Sequence, residues 1–170
     1  DALGYHDLNF KGIPYSFVFV ALTEKLGEPW TVTLSHEALE MIADPDVNLF
    51  VSGPNPKNPR KTVLYWYEVC DAVQGDTYTI DGIEVSNFVL PLYFTSEDEH
   101  DGRNDFLGKI YDGKTLKSFG VNHGGYMGYL DPSTGKTDQI FGSIHAKERA
   151  KIKEAQGEAE AIKLVNEAAD

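Results

Sequence analysis

The first half of the chain alternates between short apolar runs and polar turns. Residues 13–22 are apolar and rich in aromatic and β-branched side chains, which predicts a buried strand. Residues 30–34 (WTVTL) predict a second, short strand. A helix is predicted next, with Ser35 as its N-cap. Pro45 would end this helix at or near Asp44, because the residue before a proline disfavours helical backbone.

The predicted helix at 35–44 has one apolar side. Leu39 and Ile42 are three residues apart and are therefore neighbours on the helix surface, and Ala38 and Met41 widen the same side. Such a pattern is typical of a helix whose apolar stripe packs on a core.

From residue 52 onward the pattern is more irregular. Residues 52–61 hold three prolines and a glycine and predict a loop. Residues 62–73 are apolar with two embedded acids, which predicts a strand leading into a helical turn. Residues 77–94 predict a hairpin around Asp81–Gly82, because this pair favours the tight turns that join antiparallel strands.

The remaining segments differ in composition more than in periodicity. Residues 95–105 predict an acidic loop. Residues 106–143 predict irregular structure with a tight glycine-dependent loop at 122–129. Residues 144–170 hold no proline and one glycine, and Ala, Glu and Lys dominate, which predicts a long amphipathic helix. The residues that alternate three and four apart and would lie along one side of this helix are Ile152, Ala155, Ala159, Ile162, Asn166 and Ala169.

These elements predict an α+β fold in two parts. Residues 1–143 would form a domain in which a small, mostly antiparallel sheet packs on the helix at 35–44. Residues 144–170 would extend from it as a C-terminal amphipathic helix. That helix would gain stability from packing and could join copies of the chain into a homo-oligomer.

Net charge narrows the choice of partners. Among 170 residues, 15 are Lys or Arg and 27 are Asp or Glu, which gives a formal net charge of −12. The segment 144–170 has five basic and six acidic residues, so the acidity belongs to residues 1–143. Nucleic acids and anionic membranes are bound through clustered basic residues, and we therefore expect neither as a partner. No apolar run approaches the roughly 18 residues of a membrane span.

The cysteine content bears on compartment. A single cysteine, Cys70, excludes an internal disulfide framework and a multi-cysteine zinc knuckle. It lies near Glu68 and Asp71, whose charges would raise the pKa of its thiol, so we expect a structural cysteine and not a nucleophile. One cysteine suits both cytoplasm and secretion, which leaves the compartment open.

The chain starts at Asp1 and not at Met, and we expect a processed or truncated start.

The segment around His36 has the spacing of a metal site. On a helix, His36 and Glu40 project from the same face one turn apart, so both can ligate one ion. Glu37 would lie beside them. The arrangement matches H-E-x-x-H, in which the glutamate is the general base, with Glu40 in place of the second histidine. A solvated helix face is the alternative interpretation of the same pattern.

A further ligand is expected from the segment 62–73. Glu68 and Asp71 are three residues apart and share a face of a helical turn. Two carboxylates in an apolar run require partners, and a cation or a metal-bound histidine would supply one. In this interpretation Glu68 binds the ion and Asp71 accepts the free N–H of His36, although the two acids could exchange roles.

The order H-E-x-x-E and then E-x-x-D resembles the gluzincin pattern of zinc metallopeptidases. In that family a downstream glutamate ligand is followed closely by an acidic residue. The stretch SHEALEMIADP and the acidic segment after it, across residues 30–95, are also similar to plant Exordium-like secreted proteins and bacterial relatives. The resemblance implies a zincin-like domain over residues 1–143. The string ERAKIKEAQGEAEAIKLVNEAA is weakly similar to helices of stomatin, prohibitin and flotillin proteins.

Two functions of different class are compatible with these residues. The first is a zinc-dependent hydrolase acting on a peptide or protein substrate, in which Glu37 takes a proton from the attacking water. His123 or Tyr126 would assist as a hydrogen-bond donor, and His6 has similar standing. The second is a non-catalytic zincin-like scaffold that holds a structural ion and assembles through residues 144–170.

Overall fold

The computed structural model describes residues 3–95 and 103–143 and, from the tail, only Gly157 and Ala161. This part of the chain holds two α-helices, α1 (Val20–Leu26) and α2 (Trp30–Ala43), with short 3-10 turns at Asp71–Val73 and Pro91–Phe94. Its strands are β1 (Gly4–Leu8), β2 (Pro14–Val18), β3 (Phe50–Asn55), β4 (Asn58–Trp66), β5 (Thr77–Ile80), β6 (Ile83–Ser86), β7 (Ile110–Tyr111), β8 (Lys114–Thr115), β9 (Tyr126–Asp131) and β10 (Lys136–Phe141).

The strands form four antiparallel sheets. Three of them are two-stranded hairpins, β1–β2, β5–β6 and β7–β8. The fourth has the strand order β10–β9–β4–β3 and is therefore bounded by β10 and β3. Its centre is the pairing of β4 with β9, which sets Leu64 opposite Leu130 and Tyr65 opposite Tyr129.

The predicted α+β architecture is wrong. The described residues are mostly antiparallel strand, and the two α-helices are short, at 7 and 14 residues. The strands do not join into one sheet on a helix, because short connections let each hairpin close locally. The predicted helix at 144–170 lies outside the described residues except for Gly157 and Ala161, and no long C-terminal helix is seen in the described part. No described helix has the length and apolar character that crossing a bilayer requires.

The apolar core lies against the four-stranded sheet. β4 contributes Val63 and Tyr65, and β9 contributes Met127 and Tyr129, because alternate residues of a strand face the same side. Side chains from the 3-10 turns and the connecting loops cover them, namely Ala72, Val73, Val89, Tyr93, Phe94, Leu116 and Phe119. The core thus fixes the segment 70–73 against the sheet.

Helix α2 turns a polar face inward. Its buried side chains are Thr33, His36, Glu37 and Glu40, whereas Ile42 is 76% exposed. The helix packs on β1, β2 and β6. The amphipathic pattern therefore misleads here, since an ordinary helix buries its apolar stripe. Buried acids on this face require compensating partners, which marks the face as the candidate site.

Both helices begin where the sequence predicts other structure. β2 ends at Val18, so the predicted strand 13–22 is too long and α1 takes its last residues. The predicted strand 30–34 is instead the start of α2, with Pro29 and not Ser35 at the N-cap. Tertiary contacts override the low helix propensity of these β-branched residues. The predicted end of the helix is confirmed, because α2 stops at Ala43.

The predicted loop at 52–61 is a hairpin. β3 and β4 pair from Phe50 opposite Trp66 to Asn55 opposite Asn58. A proline lacks the N–H that a central strand needs, but Pro54 lies on β3, which is a sheet edge. The prolines therefore do not prevent strand pairing.

The later predictions are confirmed in part. The strand that leads into a turn at 62–73 is present, and so is the hairpin around Asp81–Gly82. The second hairpin strand ends at Ser86, however, and not at residue 94. Residues 106–143 are not irregular, since they contain β7 to β10. Within the predicted acidic loop, residues 96–102 lie outside the described residues.

Candidate metal centre

Helix α2 supplies three buried functional side chains. His36 Nε2 lies 3.2 Å from Glu40 Oε1, the contact that a spacing of four residues predicts. Glu37, the next residue after His36, is completely buried. The helix thus places an imidazole and two carboxylates on one face that solvent does not reach.

The segment after β4 crosses this face. Cys70 N donates a hydrogen bond to Glu40 Oε1 over 3.1 Å, which ties the segment to α2. Asp71 Oδ1 lies 3.1 Å from His36 Nε2. Two carboxylates from different elements therefore converge on one imidazole nitrogen. Asp71 and Glu40 thus contact the same nitrogen of His36.

Strand β9 holds this segment from the other side. Asn122 N donates to Ala72 O over 2.9 Å. A Cβ at Gly125 would collide with Ala72 O, so the close approach of the two backbones depends on glycine. The next residue, Tyr126, is buried, and Asp71 is among the groups that act on its hydroxyl. Burial, with Asp71 nearby, raises the pKa of Tyr126 well above its usual value, so its hydroxyl keeps its proton.

Strand β1 adds a second imidazole, that of His6. Its Nδ1 lies 3.0 Å from Glu37 Oε2 and 3.7 Å from Glu40 Oε2. Its Nε2 lies 3.7 Å from Glu68 Oε2. The hairpin β1–β2 packs on α2, and Gly4 permits this contact, because a Cβ there would lie 2.8 Å from Thr33 Cγ2.

The ligand atoms fall into two groups that share Glu40. His36, Glu40 and Cys70 offer atoms that all lie within 4.8 Å of one another. We call these residues, together with Asp71, the inner group. His6, Glu40 and Glu68 offer a second such set, which we call the outer group.

Burial governs the electrostatics of both groups. It raises the pKa of Glu37 to about 7 and that of Glu68 to about 9. It also raises the pKa of Glu40. Burial alone would lower the pKa of His36, but Glu40 and Asp71 raise it well above its ordinary value. These shifts show that the described chain solvates the carboxylates of Glu37, Glu40 and Glu68 poorly, which makes the centre a candidate for cation binding.

The structure does not place every predicted residue at the centre. His123 is exposed, stacks on Tyr111 with ring centroids 4.5 Å apart, and faces Ser143 Oγ at 3.3 Å. Cys70 is fully buried, and burial raises the pKa of its thiol, as expected for a structural cysteine. Its side chain nevertheless belongs to the inner group.

Sequence reasoning found most of the acids but not their grouping. The expected ligands His36, Glu40 and Glu68 divide between the inner and outer groups. His6 had no stronger signal than other lone histidines, because it lies 30 residues before His36 on a separate strand. Whether a polar residue of a strand contacts a helix depends on tertiary packing. The spacing of residues along the sequence does not predict such a contact.

Comparison with protein-family models, curated proteins and solved structures finds no match for this chain.

Proposed function

We propose that this chain is a zinc-dependent hydrolase whose ion binds at the inner group. The observation that carries the proposal is the convergence of Glu40 and Asp71 on His36 Nε2 at 3.2 and 3.1 Å. Ligand atoms about 2.1 Å from a tetrahedral zinc ion lie about 3.4 Å apart. The distances from His36 Nε2 to the two oxygens are thus close to those that a shared zinc ion requires.

The donor types also fit zinc. Imidazole nitrogen, carboxylate oxygen and cysteine sulfur are its usual protein ligands, whereas Mg²⁺ and Ca²⁺ prefer oxygen alone. Buried carboxylates cost free energy unless a cation or hydrogen-bond donors compensate them. Within the described residues, Glu37 Oε1 and Glu68 Oε2 are buried and have no hydrogen-bond partner, so this part of the chain does not supply full compensation.

Glu37 is proposed as the general base. Zinc, when bound, supplies Lewis acidity toward a carbonyl group or a water molecule. Glu37 Oε2 is held by His6 Nδ1, while Oε1 remains able to accept a proton. A carboxyl group with a pKa of about 7 can take a proton and return it to a leaving amine near neutral pH. The Tyr126 hydroxyl has one proton, and in the proposed step it would turn from Asp71 to donate that proton in a hydrogen bond to the developing charge.

A peptide bond is the proposed substrate, on the basis of the resemblance of the H-E-x-x-E and E-x-x-D segments to gluzincins. The acidic groups around the centre favour neutral or basic peptides over acidic ones.

The replacement Glu37→Gln tests the assignment. It keeps the size of the side chain but removes the proton acceptor, so hydrolysis of a mixed peptide library by the zinc-loaded protein should fall at least about 100-fold. Zinc content, measured by elemental analysis, should stay the same. Glu24→Gln, on the exposed surface of α1, is the matched control and should retain full activity. Unchanged turnover in Glu37→Gln, or no turnover in the zinc-loaded wild type, would refute the proposal.

A structural ion is the second candidate function. The observation that favours it is the enclosure of the inner group, since His36, Glu40 and Cys70 are all at most 3% exposed. An ion held there without catalysis would exchange slowly with a chelator and would stabilise the fold. Slow zinc exchange together with no peptide hydrolysis would favour this function over the hydrolase.

A further inference from the structure

We propose that the outer group is a second metal position, so that the chain binds two divalent ions bridged by Glu40. The inference deepens the proposed function, because Glu40 also serves the inner group. With both positions filled, one ion would lie on each side of the Glu40 carboxylate.

His6 has the arrangement of a metal-binding histidine. Its side chain is 7% exposed, and its Nδ1 is held by Glu37 Oε2 at 3.0 Å. Its Nε2 is buried without a hydrogen-bond partner in the described chain and points toward Glu68 Oε2, 3.7 Å away. Histidines that bind metals usually donate their other N–H to a carboxylate, which fixes the ring. Glu37 orients His6 in this manner and leaves Nε2 for an ion.

Glu40 has the arrangement of a bridging carboxylate. Its Oε1 faces the inner group, at 3.2 Å from His36 Nε2 and 3.1 Å from Cys70 N. Its Oε2 faces the other way, at 3.7 Å from His6 Nδ1. Each oxygen thus lies beside a different imidazole, and one ion could bind on each side.

Two ions would match the charge of the fully ionised centre. Glu37, Glu40, Glu68 and Asp71 carry a formal charge of −4 when ionised. One divalent ion would leave −2 in a buried place, whereas two would balance the charge. Uncompensated buried charge is costly, so the second ion would stabilise the fully ionised centre.

The two positions should differ in exchange rate. The Glu68 side chain is 23% exposed, whereas the side chains of His36, Glu40 and Asp71 are at most 7% exposed. The outer position is therefore nearer to solvent, and its ion should bind more weakly and leave faster than the inner one.

Metal stoichiometry of the full chain tests the proposal. Apo protein is titrated with Zn²⁺ and separately with Mn²⁺, the bound metal is counted by elemental analysis, and the Mn²⁺ samples are examined by electron paramagnetic resonance. The wild type should bind two ions and give an exchange-coupled Mn²⁺ signal. His6→Ala and Glu68→Gln should each bind one ion and give an uncoupled signal. His123→Ala, an exposed histidine away from the centre, is the matched control and should bind two.

The outcomes separate this proposal from the proposed function. One ion in the wild type, unaffected by His6→Ala, overturns the second position and leaves the hydrolase proposal standing. Complete loss of metal in both His6→Ala and Glu68→Gln shows a single shared site and also overturns it. No metal in the wild type removes both proposals. If His6→Ala does not fold, Glu68→Gln decides, because its side chain is partly exposed.

Discussion

Asp76 is a buried carboxylate that joins three segments outside the metal centre. It is completely buried and receives hydrogen bonds from the Tyr111 hydroxyl and from Asn122 Nδ2, the latter over 3.0 Å. Tyr111 donates to Oδ1 and Asn122 to Oδ2, and Lys109 Nζ also lies 3.0 Å from Oδ1. Both oxygens of Asp76 have donors, whereas at the candidate centre Glu37 Oε1 and Glu68 Oε2 are buried without a hydrogen-bond partner among the described residues. This difference is what separates a structural acid from a candidate ligand.

We expect Asp76→Asn to destabilise the fold. Either orientation of the amide sets an N–H₂ group against an existing donor, so the free energy of unfolding should fall by about 2–3 kcal/mol. Lys109 is partly exposed, and water can solvate its charge once the partner is lost. Urea unfolding measures the change. Asp112→Asn, in the exposed turn between β7 and β8, is the control and should leave the midpoint unchanged. Equal midpoints for the two variants would contradict this role of Asp76.

At the level of residues, the sequence predicts what lies within one turn. The proximity of His36 and Glu40 follows from their spacing. The Asp44 side chain likewise makes a local contact, since it accepts a hydrogen bond from Leu49 N over 2.8 Å. The place of His6 could not be predicted in this way, because its contact with Glu37 joins a strand to a helix 31 residues later. Only the packing of the two elements brings them together.

The elements show why local propensity failed in the first half of the chain. Ser35 was the predicted N-cap, yet its hydroxyl lies inside α2 and accepts a hydrogen bond from Ser86 N over 2.9 Å. Thr31 similarly donates to Glu84 O over 2.7 Å. Contacts with β6 thus stabilise helical backbone in a β-branched run that favours strand in isolation. The inner face of α2 departs from the usual apolar pattern because it carries buried polar side chains. The same side chains make this face a candidate site.

The hairpin β1–β2 provides a test at the scale of elements. A Cβ at position 4 would lie 2.7 Å from Phe17 O and 2.8 Å from Thr33 Cγ2, so Gly4→Ala should push β1 away from both β2 and α2. We expect the free energy of unfolding to fall by about 1–3 kcal/mol. His6 lies two residues further on, so one bound metal ion should be lost as well.

The control for this test is Gly157→Ala. Gly157 is helical and exposed, and a Cβ there meets no atom within 4 Å. Because alanine favours helix over glycine, the replacement should not lower the stability, and metal content should stay unchanged. Retention of wild-type stability and metal content in Gly4→Ala would show that the hairpin does not depend on close contact with α2.

For the whole molecule, the net charge of −12 includes the four carboxylates that the fold gathers at one buried place. Composition shows only that the chain is acidic. The fold shows in addition which acids lie together at the candidate centre and which are exposed. Their ionised forms repel one another in surroundings of low polarity, so the metal-free fold carries an electrostatic cost. A divalent ion that binds the folded state and not the unfolded chain would shift the unfolding equilibrium.

We therefore expect zinc to raise the melting temperature of the whole chain. Free zinc at 100 times its dissociation constant adds about 2.7 kcal/mol to the free energy of unfolding. For a chain of this size that corresponds to a rise of about 5–10 °C, which differential scanning calorimetry can measure. His36→Ala removes the imidazole on which Glu40 and Asp71 converge, and it should abolish most of the rise. Mg²⁺ at the same concentration should produce little change, because the centre offers nitrogen and sulfur donors. An equal rise in His36→Ala would place the stabilising ion elsewhere, since general binding of zinc to an acidic surface does not require this histidine.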